Sequence, residues 1–134
     1  VGADGAVTAL AILMTIAGTP SIYYGDDQAF TGIKEERVGG DDAIRPALPN
    51  SPAELAPWGQ PVLRAHQDLI GLRRRNPWLV RASTVVLRLE NQRIVYRSSA
   101  TEGSAHVDVE IDLTHSPNAI IRDALGQELW RQRN

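Results

Sequence analysis

Cysteine is absent from this chain of 134 residues. That removes disulfide frameworks, thiolate zinc sites and cysteine nucleophiles, and it leaves the compartment open. Charge of one sign is also lacking: 16 acidic residues against 14 basic ones give a net charge of -2 and a pI near 5.9. Such a balance supplies no overall attraction for nucleic acid or an anionic membrane, so neither is expected as a partner. The one long apolar run, Ala6 to Ala17, has 12 residues, well short of the ~20 that span a bilayer. A secretory signal wants basic residues before such a run, and Asp4 is the only charge there. There is no phosphate-binding glycine motif at a strand-to-helix turn, no nucleophile elbow, no metalloprotease histidine pair and no internal repeat. The length excludes a whole α/β barrel, which needs ~250 residues. A first residue of Val1 rather than Met fits a chain cut from a longer one or trimmed by processing.

What is present reads as a sequence of elements. Residues 6–17 predict a helix capped by Asp4 and stopped by Gly18 and Pro20, apolar almost all round and therefore packed on more than one side. Ser21 to Tyr24, β-branched and aromatic, predict a buried strand ended by Gly25. From Gly25 to Gly59 the composition turns to Gly, Pro and acids, a long loop of the kind that carries function or is disordered. Residues 60–76 return to helical period, with Val62, His66, Leu69 and Arg73 recurring at spacings of three and four, Pro61 at the start and Pro77 beyond the end. Arg73, Arg74 and Arg75 crowd the last turn, where cations complement the helix dipole. Beyond Pro77 the period becomes two. Strands are expected over 84–89, 93–99, 105–113, 118–122 and 127–131, with Val107, Val109, Ile111 and Leu113 on the inner face of an antiparallel sheet or sandwich.

Two clusters invite chemistry and have plainer readings. His106, Asp108, Glu110 and Asp112 alternate on one strand face, which could present metal ligands but reads better as a solvated outer face because the opposite face is apolar. His66 lies on the apolar side of its helix, where a packed, hydrogen-bonded histidine is the better reading than a ligand. His115 sits in a turn and says little.

Gly18-Thr19-Pro20-Ser21-Ile22-Tyr23-Tyr24-Gly25-Asp26-Asp27 resembles the segment around the eighth barrel strand of the α-amylase family of glycoside hydrolases, written there G-x-P-x-I-Y-Y-G-D-E. Asp42-Ala43-Ile44-Arg45-Pro46, Trp58 and the run from Leu69 to Pro77 are similar to that family's following loop and eighth barrel helix, L-I-x-L-R-x-x-x-P. The resemblance implies an α+β fragment: the last helix-strand-helix elements of a (β/α)8 barrel over residues 1–78, then an antiparallel β C-terminal domain over 79–134. It implies a parent enzyme acting on α-glucosidic bonds of α-glucans or oligosaccharides with retention. The alternatives are a transglycosylase of the same family acting on α-glucans or sucrose, and a non-catalytic carbohydrate-binding or assembly module.

The family's nucleophile Asp, acid/base Glu and stabilising Asp come from barrel strands four, five and seven, which would lie upstream of Val1, so no catalytic residue is assigned to this chain. Asp27 departs from the family's usual Glu. Because Tyr and Trp stack on sugars while carboxylates and Arg bond hydroxyls, the resemblance makes Tyr24, Asp26, Arg45 and Trp58 the candidates for substrate binding. The competing expectation is that Tyr23 and Tyr24 fill a core and that Arg45 pairs with a loop acid. No cofactor is expected and no metal ligand is assigned, although Ca²⁺ could be held by the acidic loop or the parent enzyme. An orphaned apolar helix and strand would self-associate or rearrange onto the chain's own β region.

Overall fold

A computed structural model describes residues 2–45, 47–55 and 57–133. Two helices, α1 (Ala3–Thr15) and α2 (Gln60–Arg75), and five strands follow one another: β1 (Ser83–Leu89), β2 (Arg93–Ser99), β3 (His106–Asp112), β4 (Asn118–Asp123) and β5 (Glu128–Arg131). The strands form one antiparallel sheet in the order β1-β2-β3-β4-β5. Of the two architectures expected, sheet or sandwich, the chain adopts the single sheet. It divides into two compact units, one comprising residues 1–20 with 65–134 and the other Ser21–Arg64. No described helix is long and apolar enough to cross a membrane.

In the first unit the sheet's alternation decides its packing. Tyr96, Ser98, Val107, Val109, Ile111, Ala119 and Ile121 are buried, and the register places Val109 opposite both Tyr96 and Ile121, so they line one face. Helix α1 packs on β3 and β4, burying Val7, Leu10, Ala11 and Met14 at helical spacing. It is covered along one stripe, not all round: Ala6 and Ala9 are exposed, and alanine leaves little apolar surface uncovered. Two polar clamps fix the helix on the sheet. Tyr96 Oη and Thr15 Oγ1 lie 2.6 Å apart, with Thr15 donating onward to the Ala11 carbonyl at 2.7 Å. Burial pushes the Tyr96 phenol up to about 12, so it remains a donor at any physiological pH. At the other end the buried Gln132 carboxamide accepts from Thr8 Oγ1 at 2.8 Å and donates to the Asp4 and Pro117 carbonyls, each at 2.9 Å.

Several details depart from the sequence reading. Asp4 does not cap α1; Gly2 stands at the N-cap without a side-chain bond, and the Asp4 carboxylate accepts from Ser116 Oγ at 3.0 Å instead. Leu113 lies beyond the end of β3 and is 47% exposed, so it leaves the inner face that Val107, Val109 and Ile111 share. Ser21 to Tyr24 form no strand. A strand is completed by a neighbouring strand, and this segment pairs with none before it turns at Tyr24-Gly25.

The outer face of the sheet is a lattice of opposite charges. Arg97 Nε meets Asp108 at 2.6 Å, Arg93 meets Asp112 at 2.8 Å and Arg122 meets Glu110 at 3.0 Å. The carboxylates of the alternating acidic strand are therefore committed to arginines, the solvated reading of that face. Among the described residues no three His, Asp or Glu side chains converge on a metal position.

Candidate functional site

The unit Ser21–Arg64 contains no strand among its described residues, and its shape rests on glycine. A Cβ on Gly32 would sit 2.0 Å from the Ala43 carbonyl oxygen, one on Gly40 1.9 Å from that of Glu35, and one on Gly59 2.6 Å from that of Gln28. At these crossings one stretch of backbone rests on another with no room for a side chain. Gly25 adopts the left-handed conformation with φ 88° and starts the 3-10 turn Asp26–Gln28. Its carbonyl accepts from both Gln28 N and Phe30 N at 3.1 Å.

The candidate residues stand on this frame. Tyr24 is 41% exposed and Tyr23 54% exposed, their rings tilted by 41° with centroids 4.8 Å apart. They do not fill a core. Partial desolvation and the Tyr23 ring raise the Tyr24 phenol above its ordinary value, while the charge of Arg45 pulls it back, which brings that guanidinium within electrostatic reach of Tyr24. Arg45 Nη2 donates to Asp41 at 3.2 Å, and Lys34 Nζ approaches the same carboxylate at 3.5 Å. Arg45 thus pairs with a loop acid as expected. Asp26 and Trp58 lie on two turns that touch. The turn Asp26–Gln28 packs against the 3-10 turn Pro57–Gly59, and Trp58 is 70% exposed. Asp26 and Tyr24 flank Gly25 in one turn, closed by Asp26 N donating to the Tyr23 carbonyl at 3.3 Å. Pro46 of the Asp42-to-Pro46 motif lies outside the described residues.

Chemically this unit carries exposed aromatic rings, carboxylate acceptors and a guanidinium donor, group types able to contact a polyhydroxylated ligand. Sequence reasoning missed Asp41 as the holder of Arg45. A second oversight lies in the first unit. Arg73 is buried, 8% exposed, and its guanidinium donates to the Met14 and Ile16 carbonyls, each at 2.9 Å, and to that of Gly18. The signal was present, because Arg73 falls on the apolar stripe of Val62, His66 and Leu69.

The fold defines the class of the chain, an α+β segment in which two helices precede a five-stranded antiparallel sheet. A solved structure with this fold is the ligand-free cyclic α-maltosyl-(1→6)-maltose hydrolase from Arthrobacter globiformis, at a TM-score of 0.64 and 18% identity over 92% of this chain. The chain spans 28% of the length of that hydrolase chain. No protein-family profile and no curated protein matches the sequence.

Proposed function

We propose that the chain is the C-terminal part of an α-amylase-family glycoside hydrolase, acting on α-glucosidic bonds of α-glucans or oligosaccharides. The observation that carries this reading is the likeness of fold, across 92% of the chain, to a hydrolase of a cyclic maltosyl-maltose; the motif from Gly18 to Asp27 agrees with it. In a retaining mechanism two carboxyl groups ~5 Å apart flank the scissile bond. In this proposal those groups belong to the enzyme's preceding part, and the present chain supplies binding. Tyr24 and Trp58 stack on the C–H faces of glucose units, Asp26 accepts hydroxyl protons, and Arg45, oriented by Asp41, donates to ring or hydroxyl oxygens.

The test is steady-state kinetics of the intact enzyme on maltooligosaccharides. Trp58→Ala and Tyr24→Ala should each raise KM about tenfold, equivalent to ~1.4 kcal/mol, with the larger effect on KM than on kcat. The first-formed sugar should carry the α configuration by NMR, as retention requires. Inversion at the anomeric carbon, or KM values indifferent to both substitutions, would refute the proposal.

A further inference from the structure

The inner face of the sheet carries two apolar cross-strand rows that run from β4 to the β1 edge. One is Ile121, Val109, Tyr96 and Val86; the other is Ala119, Ile111, Ile94 and Leu89. Burial fades along both. Each row is buried where α1 lies on β3 and β4, yet at the β1 end Val86 is 57% and Leu89 74% exposed, with Ile94 half-buried beside them. A third row ends differently, its Thr84 hydroxyl lying 2.9 Å from Ser98 Oγ. Edge strands are ordinarily guarded by charge. The single charge of β1 is Arg88, which opposes Val95 on the outer face and donates to Glu90 at 2.7 Å, so no charge of β1 guards the inner one. A lone apolar side chain on a surface is ordinary, but a core face that continues uncovered to the edge of its sheet marks a contact surface.

We propose that a second helix lies beside α1 on the inner face of β1 and β2, supplied by the part of the polypeptide that precedes this chain and turning an aliphatic stripe to Val86, Leu89 and Ile94. This rests on the reading of the chain as the C-terminal part of a longer protein. Dimensions select a helix. Packed helices stand ~8–10 Å apart, about two strand spacings of ~4.8 Å, so with α1 on β3 and β4 the next helix position falls over β1 and β2. A strand added at the edge is disfavoured, because the register of β1 shifts between Val86 and Arg88 and such a bulge interrupts the pairing a newcomer needs. Size selects the source. A free-standing partner engages about 20–30 residues a side, far more than Val86, Leu89 and Ile94 offer. A segment of the same polypeptide needs no such area, because its effective concentration is high. The chain spans 28% of the hydrolase whose fold it shares, so a protein of similar size has length enough to supply that helix.

The test is made on the whole polypeptide. With p-benzoylphenylalanine in place of Leu89, and separately in place of Val86, irradiation should join this face to residues that precede Val1 in the same molecule. The joined positions should recur at spacings of three and four, as one stripe of a helix requires. Peptide mass spectrometry locates them, and light scattering fixes the oligomeric state. Cross-links to a second copy overturn the inference, as do cross-links without helical spacing and the absence of any cross-link. Should the substituted proteins not fold, hydroxyl-radical oxidation of the unsubstituted one reads the same face. Val86 and Leu89 should then react at least about tenfold more slowly than in the urea-unfolded protein, and equal rates overturn the inference. Hydrolysis of maltooligosaccharides, measured on the same preparation, bears on the glycosidase reading alone. An inactive polypeptide with β1 covered refutes that reading and keeps this inference, and an active one with β1 bare does the reverse.

Discussion

Arg73 shows how one side chain can substitute for a whole capping motif. Helix α1 ends at Thr15 with no basic residue in its last turn, so its terminal carbonyls need donors from elsewhere. The guanidinium of Arg73 reaches three carbonyls, of Met14, Ile16 and Gly18, from the far end of α2. Burial lowers its pKa from the ordinary arginine value, but the group stays charged throughout the physiological range. Arg73→Met should cost about 1.5–3 kcal/mol, the worth of hydrogen bonds to a charged group, and Arg73→Lys should recover only part because an ammonium cannot present the planar fork. Denaturant titration checks both, and equal stability of all three proteins would remove the cap from the account. Gly32→Ala acts differently. The new Cβ would stand 2.0 Å from the Ala43 carbonyl oxygen, so backbone must move, and a cost of at least about 1–3 kcal/mol is expected. It should appear as faster proteolysis within residues 21–64 while the circular dichroism of the sheet is retained. The glycines could be counted in the sequence, but which of them sit beneath a crossing backbone could not. That knowledge comes only from the path of the loop. Tyr24, Asp26, Arg45 and Trp58 became candidates through the resemblance of their segments to a known family, and of these Tyr24 and Trp58 are exposed aromatic residues. Asp41, which holds Arg45, was not singled out, since one acid among several in the loop carries no pattern.

At the scale of elements, periodicity was a good guide where an element's partner lies next to it in the chain. Helix α2 was expected over 60–76 and runs Gln60–Arg75; the strands expected at 84–89, 93–99, 105–113, 118–122 and 127–131 fall within one residue of the observed bounds at each end. Each pairs with its neighbour through a short link, so alternation and turn chemistry agree. Asp123 illustrates the link, its carboxylate accepting from Leu125 N and Gln127 N at 2.9 Å ahead of Gly126 with φ 78°. Ser21–Tyr24 failed for the opposite reason: its composition favours a strand, but no adjacent segment offers a ladder. The sheet's two faces make contrasting demands. Ile111 is 3% exposed, so Ile111→Asp buries an unpaired carboxylate and should unfold the sheet, whereas Glu110→Ala removes one half-exposed ion pair and should shift stability by no more than about 0.5 kcal/mol. Similar effects from the two would reverse the assignment of faces. Acid should weaken the outer lattice. The Arg97 hydrogen bond lowers the Asp108 pKa from 3.8, the Thr114 contacts lower that of Asp112, and Arg131 lowers that of Glu128 from 4.5. A depressed folded-state pKa contributes stability that is fully present above the unfolded value and lost as pH falls through the folded one. Unfolding free energy should therefore decline below about pH 4, and Asp108→Asn should flatten that decline.

For the molecule as a whole, the decisive question is whether 134 residues that span 28% of a related fold can do chemistry alone. Retaining hydrolysis needs two carboxyl groups facing one bond from opposite sides at ~5 Å. The tempting pair is Asp26 and Asp27. Both lie in the 3-10 turn Asp26–Gln28, where 3.0 residues per turn send adjacent side chains about 120° apart. Asp26 is exposed and Asp27 half-buried, an arrangement unlike two carboxyl groups facing each other across one sugar. The acids of β3 are paired with Arg93, Arg97 and Arg122, and the lowered pKa values of Asp108 and Asp112 are the opposite of what a general acid needs, which must hold a proton near neutral pH. The isolated chain should therefore release no sugar from 4-nitrophenyl α-glucosides or maltooligosaccharides, even at protein concentrations of about 100 µM, a level that exposes turnover far below the ordinary enzymatic range. Under the proposed function, an enzyme that contains this segment should do so, with activity that responds to Trp58→Ala in KM. Hydrolysis by the isolated chain, abolished by Asp26→Asn or Asp27→Asn, would place the catalytic carboxylates inside this segment and reverse the division of labour between binding and chemistry.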